Sequence, residues 1–253
     1  MKLNPFDLTG KTAIVTGSST GLGRAMALGL ARSGADIVGV YNSTPPANSR
    51  DIEDLGRRFI SIKADLSDIN SAGLIVEKAV EAFGNIDILV NNAGTIRRNE
   101  ALTFSEKDWD DVMNINLKTV FFLCQKVANH FIAQKKRGKI INIASMLSFQ
   151  GGIKVSSYTA SKSGVMGITR LLACEWASYG INVNAIAPGY MATANTEPIR
   201  KDADRNRQIL ERIPAGGWGR PEDLQGAVVF LASSASDYVH GITLPVDGGW
   251  LAR

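Results

Sequence analysis

A strand, a glycine-rich turn and a helix in immediate succession near the N-terminus constrain this chain more than any other feature. Residues 12–16, Thr-Ala-Ile-Val-Thr, form a short apolar run of the kind that suits a strand buried on both faces. Gly17-Ser18-Ser19-Thr20-Gly21-Leu22-Gly23 follows and opens into an apolar helical pattern ending near Arg32. Glycines in the spacing Gly-x-x-x-Gly-x-Gly allow a tight turn, close approach of a pyrophosphate, and packing of helix on strand. The helix start then offers free backbone N–H groups and a positive dipole end to phosphates. An ordinary glycine-rich turn has the same composition. The context favours a dinucleotide site, because Gly34-Ala35-Asp36-Ile37-Val38-Gly39-Val40-Tyr41 repeats turn and strand and completes a βαβ unit.

Further strand signals fall at 59–64, 86–90, 139–144, 181–186 and 242–246. Helical patterns alternate with them, at 51–58, 69–83, 105–135 (broken near Asn114 and Asn116), from about 156 to Tyr179, and from Pro221. This alternation predicts an α/β fold: one Rossmann-type three-layer domain over 1–253, a seven-stranded mainly parallel sheet, and helices on both faces. Residues 190–217 are long and mixed, as expected of a substrate lid.

Composition excludes several classes. The net charge of +4 is spread along the chain, without the basic patch and interleaved aromatics of a nucleic-acid surface. No apolar stretch is long enough to span a bilayer, and the N-terminus does not read as a signal peptide. Cys124 and Cys174 both lie in helical apolar patterns and read as core residues of a reducing, cytoplasmic compartment. His130 and His240 lack neighbours at metal-ligand spacing, so no metal site is expected.

Ligands in open α/β sheets bind beyond the carboxyl ends of the strands. Gly17, Asp65, Asn91, Ser145 and Pro188 all fall at such ends. Tyr158 and Lys162 stand four apart on a helical pattern, so they share a face and the ammonium can lower the phenol's pKa. A phenol so tuned exchanges a proton with an alcohol or carbonyl oxygen. That spacing alone is common on helix surfaces; convergence on one crevice gives it weight. At the end of the second strand, where an acid usually holds the ribose, stand Tyr41 and Asn42. No carboxylate repels a 2′-phosphate there. Yet Thr20 leaves no basic residue before Gly21, and Arg50 reads as a solvated charge. NAD is favoured over NADP, with NADP as the alternative.

The ordered set Thr16 to Gly23, Asn91-Asn92-Ala93-Gly94, Asn116, Ser145, Tyr158-x-x-x-Lys162 and Pro188-Gly189 resembles the short-chain dehydrogenase/reductase family over essentially the whole chain. The resemblance implies Tyr158 as general acid/base. Lys162 would lower its pKa and hold the nicotinamide ribose, Ser145 would bind the reacting oxygen, and Asn116 would hold a water linking Lys162 to solvent. Gly17, Ser19, Gly21, Leu22 and Gly23 would cradle the phosphates. Asp65 and Leu66 would flank the adenine, and Asn92, Ala93 and Gly94 would line the ribose. Pro188, Gly189, Met191 and Thr193 would meet the nicotinamide end. Finer similarity, over 94–98, 104–114, 143–152, 187–193 and 246–253, is to sugar-acid dehydrogenases of the family that serve breakdown of uronic-acid polymers such as pectin. It implies NAD(H)-dependent interconversion of a C5 ketone and alcohol on a six-carbon sugar acid, in a homotetramer built through helices 105–135 and 157–179.

A sugar acid brings a carboxylate, which suits a guanidinium fork. Arg97 and Arg98 at the crevice rim are candidates, weighed equally against a solvent-facing role. Gln150 and Lys154 are further substrate candidates beside Ser145 and Tyr158. Two rivals stand: a reductase of the same architecture acting on gluconate at C5 or on a carrier-protein-bound ketone, and a catalytically silent nucleotide-binding scaffold. The scaffold should have lost a catalytic side chain, and all four are present.

Overall fold

The computed structural model describes residues 4–46 and 49–253. In chain order its main elements are β1 (Thr12–Thr16), α1 (Gly21–Arg32), β2 (Asp36–Tyr41), α2 (Ser49–Glu53), β3 (Phe59–Lys63), α3 (Ser71–Phe83) and β4 (Ile88–Asn91). Then come α4 (Glu106–Met113), α5 (Thr119–Ala133), β5 (Gly138–Ile143), α6 (Ser156–Trp176), β6 (Ile181–Pro188), α7 (Glu197–Lys201), α8 (Ala203–Leu210), α9 (Gln225–Ala232) and β7 (Thr243–Val246).

All seven strands join one sheet in the order β3-β2-β1-β4-β5-β6-β7, and every pair is parallel. The sheet is therefore wholly rather than mainly parallel, because every strand-to-strand connection is a crossover. Side chains on successive strand residues point to opposite faces. In β1, Ile14 enters the core on one face with α3 and α5, while Ala13 and Val15 enter the other with α1 and α9. In β4, Leu89 joins the first and Ile88 and Val90 the second. Each buried Val, Leu or Ile contributes roughly 1.5–3 kcal/mol. β1 and β4 are neighbours although β2 and β3 lie between them in sequence, so the strand order reverses there and a crevice opens at their carboxyl ends.

Two expectations are corrected and one is sharpened. The helix expected at 51–58 is Ser49–Glu53; the Arg57 N–H bonds back to the Ile52 carbonyl and Gly56 turns at φ 71°, which ends it early. The break near Asn114 and Asn116 is one turn of π-helix, Asn114–Lys118, that joins α4 to α5. Such turns are frequent at functional sites. Cys124 is buried as expected, but Cys174 is exposed on α6. Among the described residues, no helix is long and apolar enough to cross a membrane.

Candidate active site

The crevice is stitched together by polar contacts between β1 and β4. The Thr16 hydroxyl accepts from the N–H groups of Asn92 and Ala93, each at 3.0 Å, and the Asn92 amide donates to the carbonyls of Thr16 and Gly17 at 2.9 and 3.2 Å. A Cβ on Gly23 would collide with the Gly17 carbonyl and the Asn92 amide, so only glycine lets α1 sit this close. Gly17 and Gly21 turn at φ 64° and 55°, in the left-handed region that favours glycine. Thr20, the N-cap of α1, makes no side-chain capping bond, and the first turn holds no acidic residue. The first N–H groups are thus available to a phosphate, and the residues present fit a dinucleotide.

Other expected cofactor residues line the same end. Asp65 accepts from the Ser67 N–H and hydroxyl, which hold its carboxyl below the usual range. The Leu66 carbonyl accepts from Thr119 at 2.6 Å. Pro188 and Gly189 end β6, where a Cβ on Gly189 would strike Asp247. Met191 is buried and bridges to Gly219, and the Thr193 methyl lies 3.7 Å from the point where a Gly21 Cβ would stand. Leu22 faces partly inward and packs on the core. The Ser19 hydroxyl turns instead to the Thr44 carbonyl, so its side chain is occupied outside the glycine turn.

The reactive cluster gathers at the carboxyl end of β5. The Ser145 hydroxyl accepts from the Leu147 N–H at 3.1 Å, which leaves its own proton to donate. The Ser148 hydroxyl ties this turn to α6 through the Lys162 carbonyl at 2.6 Å. Lys162 is 5% exposed, and its Nζ donates to the Ile143 carbonyl at 2.6 Å. No carboxylate faces it, and burial pulls its pKa down to about 8. Asn116, fully buried on the π turn, grips both backbone groups of Thr95: Oδ1 accepts from N–H at 2.8 Å, and Nδ2 donates to C=O at 2.9 Å. Nδ2 also reaches Ser161 at 3.3 Å. Gly94 is the point where these meet, since a Cβ there would lie 3.2 Å from Asn116 Oδ1 and 3.8 Å from Lys162 Nζ.

The expected lowering of the Tyr158 pKa is corrected. The Lys162 ammonium sits 5.7 Å from the ring centroid and is bound to the Ile143 carbonyl. Packing around the phenol raises its pKa; Ser145 and the charge of Arg98 pull the other way and do not outweigh it. The nearby cation acting on the phenol is therefore Arg98, a signal that the i,i+4 spacing could not carry.

The substrate candidates separate. Arg97 is bound to Asp108 and Asp111 of α4, at 3.4 and 3.3 Å, and to the Thr95 hydroxyl at 2.9 Å. Arg98 is exposed, has no ion pair among the described residues, and its charge acts on Tyr158. Gln150 accepts from the Trp250 indole at 3.2 Å, and Lys154 pairs with Glu100 at 2.7 Å. Both are thereby engaged by protein.

An aromatic group went unnoticed in the sequence. Tyr190 meets Trp218 and Trp250 edge-on at 5.3 and 4.8 Å, and the Arg212 guanidinium lies 4.0 Å above the Trp250 ring. With Met146, Ile209 and Ile213 it packs α8 onto the turn after Ser145. The Gly-Gly-Trp ending was legible, but nothing in it announced a contact 100 residues away with Gln150.

Known proteins share this arrangement. The family profile described as short chain dehydrogenase matches residues 11–204. A 2-dehydro-3-deoxy-D-gluconate 5-dehydrogenase of Dickeya dadantii (strain 3937) is 66% identical over 253 residues, covering 100% of both chains. One of the same name from Escherichia coli (strain K12) is 65% identical over the same span. A solved structure from Agrobacterium tumefaciens, with bound NADP and the provisional name 2-deoxy-D-gluconate 3-dehydrogenase, superposes with a TM-score of 0.94 at 55% identity, covering 99% of this chain and 100% of that one. The chain belongs to the short-chain dehydrogenase family.

Proposed function

We propose that this protein interconverts a ketone and a secondary alcohol on a sugar acid, as a 2-dehydro-3-deoxy-D-gluconate 5-dehydrogenase of uronate breakdown. The observation that carries the reaction class is the meeting of Ser145, Tyr158 and Lys162 at the end of β5, beside an open phosphate-binding turn. The substrate reading rests on the two full-length relatives at 65–66% identity. When bound, the nicotinamide cofactor supplies or accepts the hydride. Glycines 17, 21 and 23 would hold its phosphates, with Asp65, Leu66 and Asn92 to Gly94 along the adenosine half. Pro188, Gly189, Met191 and Thr193 stand at the other half.

Tyr158 gives its proton to the substrate oxygen in the reducing direction, and its raised pKa keeps that proton in place at neutral pH. Ser145 donates to the same oxygen as charge develops on it. Lys162 would hold the nicotinamide ribose, and Asn116 keeps the 94–95 backbone against it. Arg98, free of ion pairs and beside the phenol, takes the substrate carboxylate. Arg97 and Gln150 position the surrounding segments, and residues 190–217 cover the bound substrate and exclude water.

We read the coenzyme as NAD(H). Arg24, the first cation of α1, is held by Asp51 at 2.7 Å, which leaves a 2′-phosphate without that partner. Trp109 on α4 and Leu171 on α6 are exposed apolar side chains that suit homotetramer packing in the cytoplasm. The test is NADH and NADPH consumption by purified protein with a panel of keto sugar acids, including 5-ketogluconate. Turnover of none of them, with cofactor bound, would overturn the reading; preference for 5-ketogluconate would move it to gluconate.

A further inference from the structure

Segment 190–217 carries five arginines and lysines between Arg200 and Arg212, and four of them are engaged. Lys201 pairs with Glu197 at 2.7 Å, Arg205 reaches Gln208 at 3.2 Å, Arg207 pairs with Asp204 at 2.8 Å, and Arg212 stacks on Trp250. Arg200 differs. Its Nη2 donates to the Thr193 carbonyl at 2.9 Å, while its Nε lies buried with no hydrogen-bond partner. No carboxylate pairs with it among the described residues.

A guanidinium is a rigid fork of donors that cannot shed its charge, so a buried donor edge without an acceptor is costly unless a ligand supplies one. The position of Arg200 indicates which ligand. It grips the carbonyl of Thr193, and the methyl of that threonine overlies Gly21, the first residue of α1. Thr20 and the first turn of α1 offer no side-chain acceptor to the N–H groups there. Thr193 thus stands between Arg200, which still has a donor to satisfy, and the positive end of α1. Two groups with unspent donors so close together suit an anion carrying several oxygens.

We infer that Arg200 completes the pyrophosphate site from the lid side, donating its free edge to an anionic phosphate oxygen of the dinucleotide. This rests on the reading of the glycine turn as the cofactor cradle. Arg200 thereby links the segment that covers the substrate to the half of the cofactor that does no chemistry.

The experiment is calorimetric binding of NADH, of ADP-ribose (which keeps the pyrophosphate but not the nicotinamide) and of adenosine, to wild type, Arg200→Gln and Arg200→Lys, each checked by thermal melting. Arg200→Gln should weaken NADH and ADP-ribose alike by roughly tenfold, leave adenosine unchanged, and flatten the salt dependence of ADP-ribose binding. Arg200→Lys should recover part of the affinity and the salt dependence. Unchanged ADP-ribose affinity in Arg200→Gln overturns the inference. Equal weakening of adenosine, which carries no phosphate, would mean a general loss of the crevice and overturns the inference as well. If only the KM for the keto sugar acid rises at saturating NADH, the fork serves the substrate carboxylate, and the inference is again lost. Wild type that binds neither NADH nor ADP-ribose removes the cofactor reading itself, a distinct result.

Discussion

Two buried lysines sit at opposite ends of the same strand, and they are treated differently. Lys139, at the amino end of β5, is 9% exposed; Asp237 meets its ammonium at 2.8 Å, and Ser236 lies at 3.4 Å. Lys162, at the carboxyl end, is 5% exposed and meets only a backbone carbonyl. Burial lowers both pKa values, but Asp237 opposes the effect at Lys139, and nothing does at Lys162. Other polar groups of the amino edge are also paired. Asp87 accepts from Lys11, the Thr12 N–H and Asn85, while Asn182 donates to the carbonyls of Ser236, Asp237 and Val239. At the carboxyl edge, among the described residues, Arg98 has no ion pair, and Arg200 Nε and the Ser18 hydroxyl are buried without a partner. Buried polar atoms without a protein partner occur at both ends, His130 Nε2 and Thr243 Oγ1 among them at the amino edge, so what separates the ends is the counter-ion: Lys139 has one and Lys162 has none among the described residues.

The largest expected effect is at the carboxyl end. Tyr158→Phe should lower kcat by about 10³-fold, since a positioned acid contributes ~10²–10⁴, while the Kd for NADH stays within about twofold. Substantial turnover in that variant removes Tyr158 as the acid. Next comes a stability gain in an inactive protein. The native pKa of Lys162, about 8, lies below its unfolded value near ~10.4, so the buried ammonium costs stability below about pH 8. Lys162→Met should therefore raise stability at pH 7 by something on the order of 3 kcal/mol. The native state sheds that proton as pH rises above about 8, so the advantage should shrink between there and ~10.4. Denaturant melts at pH 7 and 9.5 decide it; an advantage that grows with pH refutes the assignment.

Arg98→Ala should raise the KM for a keto sugar acid by about tenfold and leave that for an uncharged ketose nearly unchanged. Arg97→Ala should instead lower Tm and treat both substrates alike, because its partners are Asp108 and Asp111. If the two variants behave identically, the division between them is wrong. The smallest effect has the same sign as Lys162→Met: Lys139→Met should change stability by less than about 1 kcal/mol, because Asp237 offsets most of the burial cost at Lys139 and keeps Arg137 at 3.1 Å. A gain as large as that of Lys162→Met would mean that the two lysines are not different in kind.

Much of this could be read from the chain. The apolar runs and the glycine spacing located the strands and the phosphate turn, because both depend on neighbours within a few residues. The break near Asn114 and Asn116 was visible as polar residues in an apolar pattern, yet its form as a π turn follows from Asn116 bonding Thr95, 21 residues away. The Tyr158 and Lys162 pair shares one helix face as the spacing implies, but the Lys162 ammonium bonds a backbone carbonyl rather than the phenol. The spacing puts two groups on one helix face, but whether an ammonium turns to a phenol or to a carbonyl of β5 depends on what packs above it.

The sequence by itself determined the wholly α/β order of elements, the glycine turn, and which side chains would gather beyond the carboxyl ends of the strands, since short-range pattern dictates each. Only the tertiary structure decided which arginine was spent and which was free, which cation acts on Tyr158, and that Arg200 bonds the Thr193 carbonyl. Those outcomes depend on burial and on partners brought from distant parts of the chain, and charge and hydrogen bonding act over a few ångströms of space rather than along the sequence.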